Sequence, residues 1–450
     1  MTLDDKAAND VPGDEVLGDV VDEHLEELEF CVAKFQRTQE HPLMTLAELT
    51  RIAEVRLGAH LDALVVAGPA ATLEGMRKRA EELDPEVPAR AMSLGLLAAV
   101  VGVEELVDEL FAHDDVGVRR AAARGCSLAA SERLDQVALS RLGHARSPGE
   151  VGAWLEVAGM RGLASSAEMA LVASTEPDVV AAALRCLRQP IPSMSSTVDR
   201  LAEHPDPQVR EAALGVALAW GTPRAFAICE AQALDDGQVA PLAMVAYGIL
   251  GGATAHARLV RSAASEERRP HVFRALGFTG SPGLVPALIS GLGSKSPLEA
   301  KLAAQAIVAI TGLDLRTDRF AARPPPRADS LPPLEEDDLD ADLVPQPEDA
   351  LPQPNIEAIS AWWKEKEGEL KSSPRLVFGA PWSPGGLLWA LENGPLGLRR
   401  GWALAAHLWS GGRFWLDTEA LSTVQRNQLA VARGEISHWP GPAWAPERRG

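Results

Sequence analysis

The amino-acid sequence predicts an all-α protein in which a repeated pair of helices stacks into a solenoid. Two observations support this fold class. Ala and Leu dominate the composition, which favours helix, whereas the chain has a single Tyr and few runs of Val, Ile or Thr. A second observation is a motif that recurs about every thirty residues between positions 84 and 320. A fixed period of this length is the signature of stacked two-helix units.

The clearest copy of the motif runs from Asp206 to Pro223. Asp206 has the side chain of an N-cap residue, and Pro207 suits the first helical position, where the missing N–H needs no partner. An apolar stripe and a Gly-containing break follow, and then a second helix. The corresponding helix starts are predicted at Asp84-Pro85, Asp114-Asp115, Ser147-Pro148, Glu176-Pro177, Asp206-Pro207, Asp236-Gly237, Glu266-Glu267 and Ser296-Pro297. These starts give about eight units.

Six copies of the motif have a valine at the equivalent position near the helix start, and this valine is expected to be buried. The six residues are Val87, Val118, Val151, Val179, Val209 and Val239. Ala-rich triplets come three residues later in each copy, and their small side chains allow neighbouring helices to approach closely. Two helices in thirty residues cannot bury both faces alone, but stacked copies can.

Outside the repeats, we predict four further segments. They are a disordered acidic N-terminus at 1–15, a helical cap at 16–83, a Pro-rich acidic linker at 321–354 and a Trp-rich helical module at 355–450. In the cap, a first helix starts near Asp19 and breaks at His41-Pro42. A second opens with the capping-box pattern Thr45 to Glu48 and ends at Gly68-Pro69. In the module, helices are predicted at 355–370, 384–393, 396–410 and 417–433.

The charge distribution argues against nucleic-acid binding. The net charge is −20, and much of the acidity lies in 1–30, which has eleven acidic residues against Lys6, and in 321–354, which has nine against two arginines. No segment has the basic footprint that binding to a phosphate backbone requires. The partners are therefore expected to be proteins.

The compartment is predicted to be the cytoplasm. Four widely spaced cysteines (Cys31, Cys126, Cys186, Cys229) fit buried thiols in a reducing environment. The first residues have neither the positive nor the apolar region of a signal peptide. The longest uncharged run, Val239 to Ala255, is short for a membrane span and contains Pro241 and Gly251-Gly252, so we expect no membrane insertion.

The repeats resemble the short type of HEAT repeat. The Asp-x-x-Val-Arg element of that family is present at Asp206/Val209/Arg210 and at Asp115/Val118/Arg119. In the family these Asp and Arg side chains form a ladder between repeats. The copies at 147, 236 and 266 depart from the element.

Both ends of the chain resemble a family of bacterial HEAT-repeat proteins that has no established biochemical activity. The matching N-terminal segments are 23–30 and 56–68. The matching C-terminal segments are Trp362-Trp363, 384–388, 394–396 and 415–418. The resemblance implies a link to type VI secretion, because members are often encoded near genes of that system. Where other members have a run of arginines, this chain has only Arg399-Arg400.

No catalytic, cofactor or metal site is predicted. His24-Leu25-Glu26-Glu27 begins like an inverted zinc-helix motif, but Leu28 occupies the position of the second histidine. His60 is expected to be a hydrogen-bonded structural histidine. Gly291 to Ser296 resembles part of a phosphate loop, yet it lacks the leading Gly and a preceding strand, and it falls at a repeat turn.

The leading hypothesis is a non-enzymatic scaffold that binds other proteins, as an adaptor, chaperone or assembly factor of a secretion apparatus or its effector. Arg399, Arg400, Trp439 and Trp444 are the candidate interaction residues, since Arg and Trp often anchor interfaces. Most of the other C-terminal tryptophans are expected in a core. Two alternatives remain: a metal-dependent or small-molecule enzyme, and a self-associating structural protein. The oligomeric state is left open.

Overall fold

The computed structural model describes residues 14–145, 147–163, 171–322 and 346–441. These residues divide into two compact units. Unit 1 contains the described chain up to Gln36, Leu49–Arg188 and Glu419–Leu421. Unit 2 contains Arg37–Glu48, Gln189–Thr418 and the described chain from Ser422 onward. The predicted segments 1–15 and 321–354 lie partly outside the described residues.

The described chain is mainly helical, which confirms the all-α class. The helices up to residue 201 are α1 (Asp14–Gln39), α2 (Leu46–Leu49), α3 (Val55–Ala80), α4 (Pro88–Val101), α5 (Glu104–Phe111), α6 (Val116–Leu128), α7 (Glu132–Leu142), α8 (Pro148–Arg161), α9 (Pro177–Cys186) and α10 (Ser195–Leu201). Those that follow are α11 (Pro207–Trp220), α12 (Ala225–Leu234), α13 (Pro241–Leu250), α14 (Ala253–Ser262), α15 (Arg269–Gly277), α16 (Val285–Gly291), α17 (Pro297–Thr311), α18 (Ile356–Leu370), α19 (Pro384–Asn393), α20 (Leu396–Trp409) and α21 (Ser422–Glu435). The solenoid architecture stays a prediction.

Several helix starts are confirmed where a capping side chain precedes the first turn. The carboxylate of Asp206 accepts from the backbone N–H groups of Gln208 and Val209, at 2.9 and 3.1 Å. Asp115 accepts from Val118, Ser147 from Glu150 and Ser296 from Glu299 in the same way. Each of these side chains satisfies an N–H group that has no partner within its helix.

Three helix starts were predicted too early. Helix α4 begins at Pro88 instead of Pro85, α13 at Pro241 instead of Gly237, and α15 at Arg269 instead of Glu267. The residue before a proline is disfavoured in the helical region, so the later proline determines where α4 and α13 can start. Val87 and Val239 therefore lie outside the helices, and Val87 is 40% exposed. Val118, Val179 and Val209 are buried as predicted, whereas Val151 is only half-buried.

Gly68-Pro69 ends the second predicted helix, as expected, and a further helix follows directly. Gly68 has φ 81° and ψ 167°, which breaks the helical geometry, and helical structure resumes at Pro69 and continues to Ala80. Proline suits the first turn of the resumed helix because its missing N–H would have no partner there. The capping box is confirmed: the Thr45 N–H donates to Glu48 at 2.8 Å, and the Glu48 N–H donates to Thr45 Oγ1 at 3.4 Å.

The first helices of successive motif copies pack against each other within each unit. In unit 1, α4 packs on α6, α6 on α8 and α8 on α9; in unit 2, α13 packs on α15 and α15 on α17. The contact of α4 with α6 depends on glycine. A Cβ at Gly95 would lie 2.2 Å from the carbonyl oxygen of Ala122, and one at Gly125 would lie 1.9 Å from that of Met92. Small residues therefore set the spacing between these helices, as the sequence indicated.

The C-terminal part of the chain is not purely helical. Its four helices are confirmed, although the last begins at Ser422 instead of 417. An antiparallel hairpin of β1 (Leu376–Val377) and β2 (Ala380–Pro381) lies between α18 and α19. The hairpin bonds to the motif region of unit 2: the Leu376 N–H donates to Gly280 O at 2.7 Å and the Phe378 N–H to Ala309 O at 2.8 Å.

The end of the predicted linker is also structured. Pro347–Ala350 forms a 3₁₀ turn, and Ala321 pairs with Pro354 in an isolated bridge. The apolar run from Val239 to Ala255 contains α13, which has only ten residues. Among the residues that the structure describes, no helix combines the length and the apolar character that a bilayer span needs.

Candidate functional site

Unit 2 contains a cavity of about 390 Å³, which we call the unit 2 cavity. Its walls come from six parts of this unit: the loop at 40–42, α11, α13, the end of α15 with α17, the 3₁₀ turn at Pro347 and the start of α20. The lining residues are Glu40, Pro42, Glu211, Pro241, Leu242, Val245, Arg274, Phe278, Gln305, Ala306, Pro347, Glu348, Gly397, Leu398, Arg400, Gly401 and Leu404. A concave, mainly apolar site with a few polar groups is typical of a binding site.

Gln305 is the most informative polar residue of the cavity. It is 8% exposed, and no described residue hydrogen-bonds to its side-chain amide. Its amide nitrogen and oxygen are reached by solvent from the cavity, so both are free to bond a ligand there. An amide both donates and accepts, so it matches the paired N–H and C=O groups of a peptide backbone. The cavity therefore has a group that a bound peptide would satisfy.

Four charged residues of the cavity form ion pairs with each other, and one carboxylate does not. Arg274 pairs with Glu348, and Arg400 Nη2 lies 3.2 Å from Glu40 Oε1. Glu211, on α11, has no ion pair within the described part of the chain. One carboxylate thus remains available at the cavity, and it favours a ligand with a positive charge.

The loop at 40–44 is held in place by hydrogen bonds within the loop and by hydrogen bonds from the start of α20. His41 Nδ1 accepts from the N–H groups of Leu43 and Met44, each at 3.2 Å. The start of α20 reaches the same loop, because the Leu396 N–H donates to Met44 O at 2.7 Å and the Gly397 N–H to His41 O at 3.1 Å. Burial lowers the pKa of His41, which keeps Nδ1 free of a proton and able to accept.

The paired arginines predicted as interaction residues have different environments. Arg400 is exposed and lines the unit 2 cavity. Arg399 is 1% exposed; its Nε donates to Leu391 O at 2.6 Å and its Nη1 to Gln425. Burial lowers the pKa of Arg399 to about 10, so it stays charged at neutral pH. The role of both in binding stays a prediction, and only Arg400 is available at the surface for it.

The tryptophans are distributed differently from the prediction. Trp363 and Trp402 are buried, as expected for a core. Trp439 is half-buried and stacks on Phe414, with ring centroids 5.5 Å apart, and Trp444 lies outside the described residues. Among the described tryptophans, the exposed ones are instead Trp389 and Trp415, at 46% and 39% exposure. Helical spacing alone did not distinguish these two from the core.

His24 and His60 meet in unit 1, where α1 and α3 face each other. Their Nδ1 atoms lie 2.9 Å apart. Glu27, Cys31 and His60 place one possible ligand atom each within 4.8 Å of one another. The prediction that His60 is hydrogen-bonded is confirmed. The sequence did not indicate that Glu27 and Cys31 join it, although positions 24, 27 and 31 share one face of a helix.

The remaining motifs have structural roles. Gly291 to Ser296 forms the turn between α16 and α17, and Ser296 caps α17. Arg210 Nη1 donates to the carbonyl oxygens of His204 and Pro205, at 2.8 and 2.9 Å, and Arg119 contacts His113 and Asp114 in the same manner. Arg210 therefore holds the loop before its own helix, and Asp206 caps that helix.

A scan of the sequence against protein-family models finds no match, and a search of curated proteins finds none either.

Proposed function

We propose that this protein is a non-enzymatic binding protein that holds a segment of another protein in the unit 2 cavity. The occupant is an extended peptide segment with a large apolar side chain next to a basic residue. The observation that carries the proposal is the Gln305 amide, which faces the cavity and has no hydrogen-bond partner among the described residues.

The walls support this choice of occupant. Leu242, Val245 and Leu404 are half-buried and offer apolar surface to a side chain. Glu211 supplies the negative charge that a basic residue complements. Charge complementarity at a site favours the right partner and disfavours others. A peptide also supplies the backbone groups that pair with the Gln305 amide.

The sequence supports the wider role. Stacked HEAT-like repeats form a solenoid with an extended binding surface, and a role as adaptor, chaperone or assembly factor follows from that architecture. The resemblance of both chain ends to bacterial HEAT-repeat proteins suggests that the partner belongs to a type VI secretion apparatus or is one of its effectors.

A displayed library of random peptides tests the site directly with the full-length protein. Selected peptides are expected to share a basic residue beside a large apolar residue. A synthetic peptide of that consensus should bind the wild type, and its affinity should fall at least about tenfold, or ~1.4 kcal/mol, in Glu211→Lys. Val245→Trp, which fills the cavity, should abolish binding.

Two variants serve as matched controls. Glu357→Lys makes the same charge change at an exposed position of α18, and Val431→Trp adds the same ring to an exposed position of α21. Both should bind like the wild type. Equal binding by Val245→Trp and Val431→Trp would place the peptide elsewhere, and a selection without any consensus would argue against peptide binding altogether.

A further inference from the structure

The pair of helices α1 and α3 brings four metal-binding side chains together in unit 1. His24, Glu27 and Cys31 follow each other on one face of α1, and His60 projects from α3. The helices run antiparallel here, since His24 contacts His60 while Glu27 contacts Arg56 one turn away. The donors are therefore contributed by two rigid elements and not by a loop.

We propose that His24, Glu27, Cys31 and His60 form a zinc site that joins α1 to α3. Two imidazole nitrogens, a thiolate and a carboxylate are ligands that zinc accepts in its tetrahedral protein sites. With the thiolate and the carboxylate charged and both imidazoles neutral, the donor set balances the two positive charges of the ion.

One observed distance is close to that between two ligands of a tetrahedral site. Two nitrogens bound to one zinc ion lie roughly 3.3 Å apart, from Zn–N bonds of ~2.05 Å at tetrahedral angles. His24 Nδ1 and His60 Nδ1 are 2.9 Å apart. The donor atoms of Glu27, Cys31 and His60 lie within 4.8 Å of one another, a group that does not include His24. Metal binding therefore requires the His24 side chain to rotate toward Glu27 and Cys31.

Four protein ligands make this site a structural one. A catalytic zinc ion keeps a coordination position for water or substrate, whereas four protein side chains close the shell. The consequence for the protein is a cross-link between two helices that are far apart along the chain. The zinc site is independent of the unit 2 cavity, and neither proposal depends on the other.

Arg56 competes with the metal ion for Glu27. Its Nη2 lies 2.6 Å from Glu27 Oε2, and its guanidinium also lies over the ring of Phe30, 5.6 Å from the centroid. The guanidinium charge beside Glu27 repels a divalent cation that approaches the same carboxylate. Burial raises the pKa of the Cys31 thiol, so zinc binding releases the thiol proton. Removing the positive charge of Arg56 should therefore strengthen zinc binding.

The test uses full-length protein without an affinity tag, stripped of metal with a chelator and titrated with Zn²⁺ against a chromophoric competitor. One equivalent should bind. His60→Ala and Cys31→Ser should weaken binding at least about tenfold, the smallest effect expected even from an outer-shell partner. Arg56→Gln should strengthen it. His144→Ala, at an exposed histidine of the same unit, and Cys229→Ser, at a buried cysteine, should leave it unchanged.

The wild type loaded with Co²⁺ provides a second readout, for which no variant needs to fold. The cobalt-loaded wild type should show the intense visible bands of a tetrahedral ion and a near-ultraviolet thiolate charge-transfer band. The thiolate band should disappear in Cys31→Ser. Binding well below one equivalent, a wild-type cobalt spectrum without the thiolate band, or weaker zinc binding by Arg56→Gln would each overturn the proposal.

Discussion

Two arginines of unit 2 donate hydrogen bonds to backbone carbonyl groups of other elements. Arg399 donates to Leu391 O, and Arg375 Nε donates to Thr279 O at 2.8 Å while its guanidinium lies 4.2 Å from the centre of the Trp382 ring. A hydrogen bond to a charged donor is worth about 1.5–3 kcal/mol, more than a neutral one. These two arginines therefore connect separate elements of unit 2.

His41 should make the stability of the protein depend on pH. Its pKa is lowered in the folded state, so between that pKa and about 6.5 the unfolded chain binds more protons. Stability should therefore fall as pH drops below about 6.5, with a contribution of at most ~1.4 kcal/mol per pH unit from one histidine. His41→Asn keeps an acceptor for Leu43 and Met44 but does not titrate.

Denaturant unfolding between pH 7.5 and 5.5 measures this effect. The slope of unfolding free energy against pH should be smaller in His41→Asn than in the wild type. His144→Asn, which changes an exposed histidine, should keep the wild-type slope. Parallel curves for His41→Asn and the wild type would show that His41 does not contribute.

Leu214 should not tolerate a charge. It is 1% exposed on α11, and Leu214→Asp would bury a carboxylate without a partner. We expect a loss of at least about 4 kcal/mol, or failure to fold. Val431→Asp, at a 65% exposed position of α21, should change stability by no more than ~0.5 kcal/mol. An unchanged melting temperature for Leu214→Asp would contradict the burial of this side chain.

At the scale of elements, the contact of α4 with α6 requires glycine. The new Cβ of Gly125→Ala would lie 1.9 Å from Met92 O and 2.8 Å from Leu96 N, both backbone atoms that cannot rotate away. The helices must separate, and overpacking of this kind costs about 1–3 kcal/mol or more. Thermal unfolding of the variant measures the loss.

Gly152→Ala is the control for this prediction. Gly152 lies inside α8, and a Cβ there would meet nothing within 4 Å. Alanine favours helix over glycine by about 0.8–1 kcal/mol, so this variant should be neutral or more stable. If both substitutions had the same effect, helix propensity and not the contact would explain the result.

The elements also show why some boundaries could be predicted and others could not. Asp206-Pro207 and Ser296-Pro297 combine a cap with a proline, and both helices start as predicted. The hairpin of β1 and β2 was missed because Phe378 adopts φ 48°, a conformation that is rare outside glycine. Trp389 and Trp402 surround its ring, at 5.5 and 5.6 Å between centroids, and local sequence does not reveal such packing.

At the scale of the whole molecule, the C-terminal residues complete unit 2. Phe378 and Gly379 donate to Ala309 O and Ile310 O, carbonyl groups at the end of α17. A chain that ends at residue 322 would leave these groups and the neighbouring apolar surface exposed. We expect its melting temperature to fall by more than about 5 °C.

Calorimetry of the shortened chain tests this prediction. A second polypeptide that contains residues 346–450, added separately, should restore part of the lost stability if the contacts are specific. A shortened chain that melts like the full one would show that the motif region of unit 2 is stable without its C-terminal residues.

The sequence by itself determined the helical class, the cap residues and most helix starts, because these depend on interactions between residues a few positions apart. It also identified His24 and His60 as the histidines to examine. Only the tertiary structure brought these two side chains together with Glu27 and Cys31, and only it placed Glu211, Gln305 and Arg400 around one cavity. Residues so distant along the chain converge through packing, and a local pattern of side chains does not encode the order in which helices pack.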